Sequence, residues 1–153
     1  MFEVALYEPE IPPNTGNIMR LCANTGCVLH LIHPLGFQLD EKRLRRAGMD
    51  YRDLAVVKEH ESFAAFAQHV ANKRLFALTT KAQRSYTEVT FEPEDIFLFG
   101  PETRGLPEPI LAALGEQCIR LPMLPESRSL NLSNTAAIVV YEALRQQQFQ
   151  GLS

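Results

Sequence analysis

The chain has 153 residues, 46% of them hydrophobic and 22% charged, and a formal net charge of −3. That length suits one domain spanning residues 1–153 with a sizeable core, and the balance excludes disordered, collagen-like and low-complexity chains. No apolar run approaches the roughly 18 residues of a membrane span, and the acidic total gives no whole-chain nucleic-acid signal.

Taken in order, residues 4–7 read as a short apolar strand. Residues 14–25 read as a helix, because Ile18, Leu21, Cys22 and Thr25 recur at i, i+3, i+4 and i+7. Asn14, following Pro12-Pro13, reads as its N-cap and Gly26 as its stop. Residues 28–32 form the second strand. His30 and His33 fall on its opposite sides, so no metal site is expected there. Residues 41–47 read as a short basic helix. Lys42, Arg43, Arg45, Arg46 and Arg52 cluster there against Asp50 alone. Such a cluster is either a solvated helix face or a patch for phosphates. Residues 54–57 read as a strand, 62–70 as a helix capped by Ser62, and 75–79 as a strand. Residues 96–99 have the unbroken apolar character of a fully buried strand. Residues 109–114 are a short helix, 118–121 the last strand, and 131–146 the longest helix, with Leu132, Ala136, Val140 and Leu144 on one face.

Strands alternating with helices predict an α/β fold, a parallel sheet with helices on both faces. The three cysteines, Cys22, Cys27 and Cys118, are odd in number and lack zinc spacing. They point to a reducing compartment and a cytoplasmic location, with Cys22 in the core. The start, Met1-Phe2-Glu3-Val4, carries no basic region ahead of an apolar stretch, so no secretory signal is expected.

In open parallel sheets, ligands bind beyond the carboxyl ends of the strands. Three such ends are unusual here: Leu78-Thr79-Thr80-Lys81, the segment 99–107, and the segment 121–131. Gly100 and Gly105 permit close backbone approach, and Pro122 and Pro125 fix extended geometry. Ser129, Asn131, Ser133 and Asn134 crowd the start of the long helix. Capping accounts for one or two of them, and the surplus favours a site. A P-loop fails, because Leu106-Pro107 stands where Lys and Ser/Thr are required. No G-x-G-x-x-G follows the first strand, and no G-x-S-x-G elbow occurs.

Pro12-Pro13-Asn14-Thr15-Gly16-Asn17-Ile18-Met19-Arg20 resembles the first motif of the SPOUT RNA 2′-O-ribose methyltransferases, with its N-x-x-N-x-x-R core. Phe99-Gly100-Pro101-Glu102-Thr103-Arg104-Gly105-Leu106 resembles their second motif. Residues 119–137 resemble the third, with Ser129-Leu130-Asn131-Leu132-Ser133 at its centre. The three occur in order over nearly the whole chain. The segments Leu6-Tyr7-Glu8-Pro9-Glu10-Ile11 and Lys42-Arg43-Leu44-Arg45-Arg46-Ala47-Gly48 are closest to the small members, catalytic domain alone, that act on the wobble nucleotide of tRNA.

That resemblance implies a SPOUT fold with a C-terminal trefoil knot and a homodimer. It implies S-adenosylmethionine as methyl donor, S-adenosylhomocysteine as product, and no metal. The implied partner is a tRNA anticodon stem-loop, in leucine isoacceptors, with no membrane. The matching cofactor positions are Leu78, Thr79, Gly100, Glu102, Leu121, Met123, Ser129 and Leu130. Arg20 corresponds to the first-motif arginine. With a pKa above about 12 it is a poor base, so its expected role is to contact phosphate and hydroxyl and promote deprotonation. Asn14 would position Arg20 or the ribose, Glu102 the arginine or a cofactor-site loop, and Ser129 and Asn131 the cofactor end and the third loop. Lys42, Arg43, Arg45 and Arg46 would neutralise phosphates, with Lys81, Arg104 and Arg128 nearer the target nucleotide. Tyr141 would stack or hydrogen-bond near the partner subunit.

Each of these has a plainer alternative. Leu78 and Leu121 suit strand-end core, Asn14 and Asn131 suit caps, Arg20 a surface helix, and Tyr141 packing. Ala136, Ala137 and Ala143 suit a helix contact between subunits or an intramolecular core equally well. The expected reaction is 2′-O-methylation of nucleotide 34. The competing readings are another tRNA or rRNA position, and a non-catalytic RNA- or cofactor-binding module.

Overall fold

The computed structural model describes residues 1–38 and 55–153. Seven strands form one sheet: β1 (Glu3–Tyr7), β2 (Val28–Ile32), β3 (Val57–His60), β4 (Leu75–Leu78), β5 (Arg84–Ser85), β6 (Ile96–Phe99) and β7 (Cys118–Arg120). Their order is β3-β2-β1-β6-β4-β7-β5, and every pairing is parallel. The helices are α1 (Pro12–Thr25), α2 (Phe63–His69), α3 (Glu108–Leu114) and α4 (Leu132–Gln146).

Alternation along the strands assigns the two faces. Val4, Leu6, Leu29, Leu31, Phe97 and Phe99 point to the side where Ile18, Met19 and Cys22 of α1 pack with Ala136, Val139, Val140 and Ala143 of α4. Ala5, Ile32, Ala77, Ile96 and Leu98 point to the other side, against Phe66 of α2 and Leu111 of α3. Burial on both faces explains the unbroken apolar run of β6. Cys22 lies in this core, and burial pushes its thiol far above the ordinary range. Ala136 and Ala143 are fully buried within the chain, so they serve the intramolecular core.

Several expected boundaries hold. Gly26 ends α1 at φ 75°, with its N–H on the Cys22 carbonyl. The Ser62 hydroxyl caps α2 by accepting the Ala65 N–H at 3.1 Å. Asn131 caps α4 by accepting from the N–H groups of Ser133 and Asn134. Three differ. Asn14 is not the N-cap of α1. Pro12 and Pro13 occupy the first helical positions, where no N–H is missed, and Ile11 precedes them without a side-chain cap. The third strand is Val57–His60 rather than 54–57, and Leu54 lies outside the described residues. Among the described residues it is an edge strand paired on one side only, so Lys58 and Glu59 are exposed and the apolar signal is absent. β5, two residues long and polar, carries no periodicity to read. The basic segment with Lys42, Arg43, Arg45 and Arg46 also lies outside the described residues.

Between β1 and β6 the order reverses. The chain leaves β1 toward β2 on one side, while β6 continues toward β4 and β7 on the other. Loops at such a switch point diverge and open a crevice at the carboxyl ends of the strands.

Candidate active site

The crevice is a cleft of about 480 Å³. Its floor is the carboxyl ends of β4, β6 and β7, through Leu78, Phe99 and Leu121. Its walls are the segment after β6 and the segment after β7, closed by Ile11 and Asn14 from the start of α1. Gly100 is required at the first bend. A Cβ there would stand 2.5 Å from the Leu106 N and 2.6 Å from the Gly105 carbonyl carbon, both backbone atoms. Gly105 closes the loop at φ 70°, its N–H on the Pro101 carbonyl at 3.0 Å.

One carboxylate, with Asn14, joins the three motif segments. Glu102 accepts the Glu10 N–H at 2.9 Å on Oε1, the Ile11 N–H at 2.8 Å on Oε2, and the Asn14 amide at 3.2 Å on Oε2. Asn14 is buried and uses its other amide atom to accept from Asn131 Nδ2 at 3.2 Å. Asn131 meanwhile accepts the Ser133 hydroxyl at 2.6 Å while capping α4. Asn131, Asn14 and Glu102 therefore form a relay across loops that lie 88 and 117 residues apart in the chain. Capping and site roles coexist in Asn131, while Asn14 is committed to the relay.

The grip is returned. The Glu10 carboxylate accepts the Thr103 N–H at 2.9 Å and the Thr103 hydroxyl at 2.8 Å, and Arg104 lies 3.5 Å from it. These bonds, the backbone N–H first, hold the Glu10 carboxyl below its ordinary pKa. Glu8 sits at φ 45° and adds a contact to Arg104 at 3.3 Å.

All eight expected cofactor positions, Leu78, Thr79, Gly100, Glu102, Leu121, Met123, Ser129 and Leu130, line this cleft, as do Asn14 and Asn131. Lys81 and Arg104 line it too, but each faces carboxylates: Lys81 lies 3.8 Å from Glu108, and Arg104 lies against Glu8 and Glu10. Arg128 is exposed and stands outside the lining. Arg20 is exposed on α1, six residues beyond Asn14 and so on a different face of the helix, and it does not line the cleft. Tyr141 is 47% exposed on α4, its ring 6.4 Å from that of Phe149. Sequence reasoning assigned nothing to Glu8, Glu10 or Thr103. The available signal was two acidic residues bracketing Pro9 immediately after a buried strand.

A profile of the SpoU rRNA Methylase family matches residues 1–141. The chain belongs to this family. A relative from Escherichia coli (strain K12), named tRNA (cytidine(34)-2′-O)-methyltransferase, is 57% identical over 152 residues, covering 99% of this chain and 97% of its own. A solved structure concerned with 2-OH methylation of C/U34 on tRNA superposes with a TM-score of 0.91 at 43% identity, over 98% of both chains. The SpoU methyltransferase AviRb from Streptomyces viridochromogenes, in complex with AdoMet, shares the fold at a TM-score of 0.81 and 23% identity, over 97% of this chain and 58% of that one.

Proposed function

We propose that this SpoU-family chain transfers a methyl group from S-adenosylmethionine to the ribose 2′-oxygen of nucleotide 34 in tRNA. The observation that carries the reading is the Asn131–Asn14–Glu102 relay, which draws the three motif segments around one cleft. Relatives named for that reaction over nearly the full chain support the substrate.

The cleft suits the donor chemically. Its volume falls within the roughly 300–1,000 Å³ of small-molecule sites. Leu78, Leu106, Leu121, Met123 and Leu130 offer apolar lining for a purine, and Asn14, Glu102, Ser129 and Asn131 polar lining for a ribose and an amino-acid end. Backbone groups of Gly100 and Leu121 would bond the nucleoside, with Thr79 beside them. The donor, when bound, supplies an electrophilic methyl carbon and departs as a neutral thioether. The chain's part is to exclude water, align the ribose oxygen in line, and help its proton leave.

Arg20 would hold a phosphate and the hydroxyl, staying charged and favouring the alkoxide. Because Arg20 is exposed and does not line this cleft, a second copy in a homodimer would carry it to the site. Lys42, Arg43, Arg45 and Arg46 would clamp phosphates of the anticodon stem-loop, with Lys81, Arg104 and Arg128 closer to the target and Tyr141 near the partner subunit. We read residues 1–153 as one domain whose C-terminal segments thread a trefoil knot, acting in the cytoplasm. Among the described residues, no helix is long and apolar enough to cross a membrane.

The test is mass mapping of 2′-O-methyl groups in tRNA from a strain lacking the gene, with add-back of the purified protein. Nucleotide 34 of leucine tRNAs is expected to lose its methyl group and regain it on add-back. An unchanged map overturns the reading, and loss at another position reassigns the substrate.

A further inference from the structure

The chain leaves β1 through Glu8-Pro9-Glu10, and Glu10 reaches across to the segment that walls the cleft. One Glu10 oxygen accepts both the N–H and the hydroxyl of Thr103, at 2.9 and 2.8 Å. The second lies 3.0 Å from the same hydroxyl and 3.5 Å from Arg104 Nε. Glu102 returns the contact by accepting the N–H groups of Glu10 and Ile11. On one side of this mutual grip stand Ile11 and Asn14, and on the other Thr103, Gly105 and Leu106. All five line the cleft. Glu10 itself does not line it.

We propose that Glu10 is a positioning residue for the methyl donor: by fixing the Thr103 backbone it sets the shape of the wall formed by residues 100–106. The proposal rests on the reading of this cleft as the donor site. Two contributions at Glu10 separate physically. The ion pair with Arg104 is solvent-exposed on the arginine side, 55% for its side chain, and so contributes little. The bond to the Thr103 N–H is directional, and it decides where the loop backbone lies. The acceptor oxygen, more than the charge, is therefore what the cleft needs.

Glu10→Gln keeps an acceptor and removes the charge, whereas Glu10→Ala removes both. Titration calorimetry with S-adenosylhomocysteine, and donor KM at saturating tRNA, are compared in the two variants and the native chain. Glu10→Ala is expected to raise Kd and KM about tenfold, on the scale of one charge-assisted hydrogen bond, with kcat at saturating donor changed far less. Glu10→Gln is expected to stay within about threefold of native, because a neutral acceptor retains roughly half of a charge-assisted bond. Thr103→Val, which removes the hydroxyl and keeps the N–H, supplies a second variant should Glu10→Ala not fold, and a smaller rise is expected of it. Native-like binding by Glu10→Ala overturns the proposal and leaves the donor reading standing. Equal impairment of Glu10→Gln and Glu10→Ala also overturns it, since the charge would then be what matters. Native chain that does not bind S-adenosylhomocysteine overturns the donor reading itself.

Discussion

β1 carries an acidic network at its start and another just past its end, and the two are built differently. At the start, Glu3 is 5% exposed. His30 Nε2 donates to it at 2.6 Å, and Lys73 Nζ donates to its other oxygen. Burial alone would raise the Glu3 pKa, but these two hydrogen bonds and the two charges outweigh it and hold the carboxyl at about 2. Past the other end, Glu8, Glu10 and Glu102 are only half-buried, and they bond loop N–H groups and an exposed arginine. Glu3 ties β1 to β2 and to the segment entering β4, so its removal strikes the fold. The loop carboxylates tie one loop to another, so their removal strikes the shape of the cleft. Burial separates a carboxylate that stabilises from one that aims.

The largest expected effect lies at Arg20, on the helix that follows the loop end. Arg20→Ala should lower methyl transfer by at least about a hundredfold, the scale of lost assistance to proton transfer. S-adenosylhomocysteine affinity should stay native, because Arg20 lies outside the cleft lining. Near-native turnover would remove Arg20 from the chemistry. Gly100→Ala comes next. Its Cβ would meet two backbone atoms within 2.6 Å, and neither can swing aside as a side chain could. Displacement of the 100–106 wall should weaken S-adenosylhomocysteine binding roughly tenfold or more, the scale of an overpacked site. Unchanged affinity would show that this wall does not shape the donor site.

The sequence speaks unevenly about the two ends. Apolar runs located the core strands and helix periodicity the first helix, and Gly26, Ser62 and Asn131 marked element ends through local chemistry that a few residues contain. The cleft was legible because ligands gather at strand ends, and the residues flanking Gly100 and Leu121 belong to motifs with a known resemblance. Asn14 was misread because Pro12-Pro13 already start the helix, which frees its amide for partners 88 and 117 residues away. Glu10 and Arg104 were legible as charges but not as a pair, since their contact depends on how two loops leave adjacent strands. Glu3 gave no sign at all. A glutamate opening a strand reads as exposed until His30 and Lys73 are brought to it by the sheet register and the segment before β4.

Glu3→Gln sharpens the contrast from the other side. Lys73 and His30 would lose their anionic partner at a buried position, and stability at neutral pH should fall by about 3 kcal/mol, read from urea unfolding. Donor affinity should be unaffected where the variant is folded. The pH dependence has a definite sign. The folded-state pKa is depressed from 4.5 to about 2, so the stabilisation is complete above the unfolded value and is lost as pH falls through that interval. The native chain should lose on the order of 3 kcal/mol across it, and Glu3→Gln should not.

His60, next in the same network, supplies the smallest effect and the closest test of the comparison. His30 gives its Nε2–H to Glu3, and its Nδ1 shares a hydrogen bond with His60 Nε2 at 2.9 Å. The His60 ring also lies 5.2 Å from His69 and 5.3 Å from Phe66, ring centre to ring centre. Burial lowers its pKa, and the charges of His30, His69 and Lys58 lower it further. Glu3 and Lys73 face the group through His30, while Glu59 is turned to His33. A histidine whose folded pKa lies below its unfolded value resists protonation in the fold. Its contribution is therefore present above about pH 6.5 and lost as pH falls below that. Stability should decline gently between about pH 7 and 5.5, ahead of the steeper loss from Glu3. In His60→Gln, which keeps an amide hydrogen-bond partner for His30 without the titration, the early decline should flatten and the Glu3 phase should remain. Donor affinity measured over the same pH range should not follow the His60 step. If it did, the two ends of β1 would be coupled, and the division between a stabilising end and an aiming end would fail.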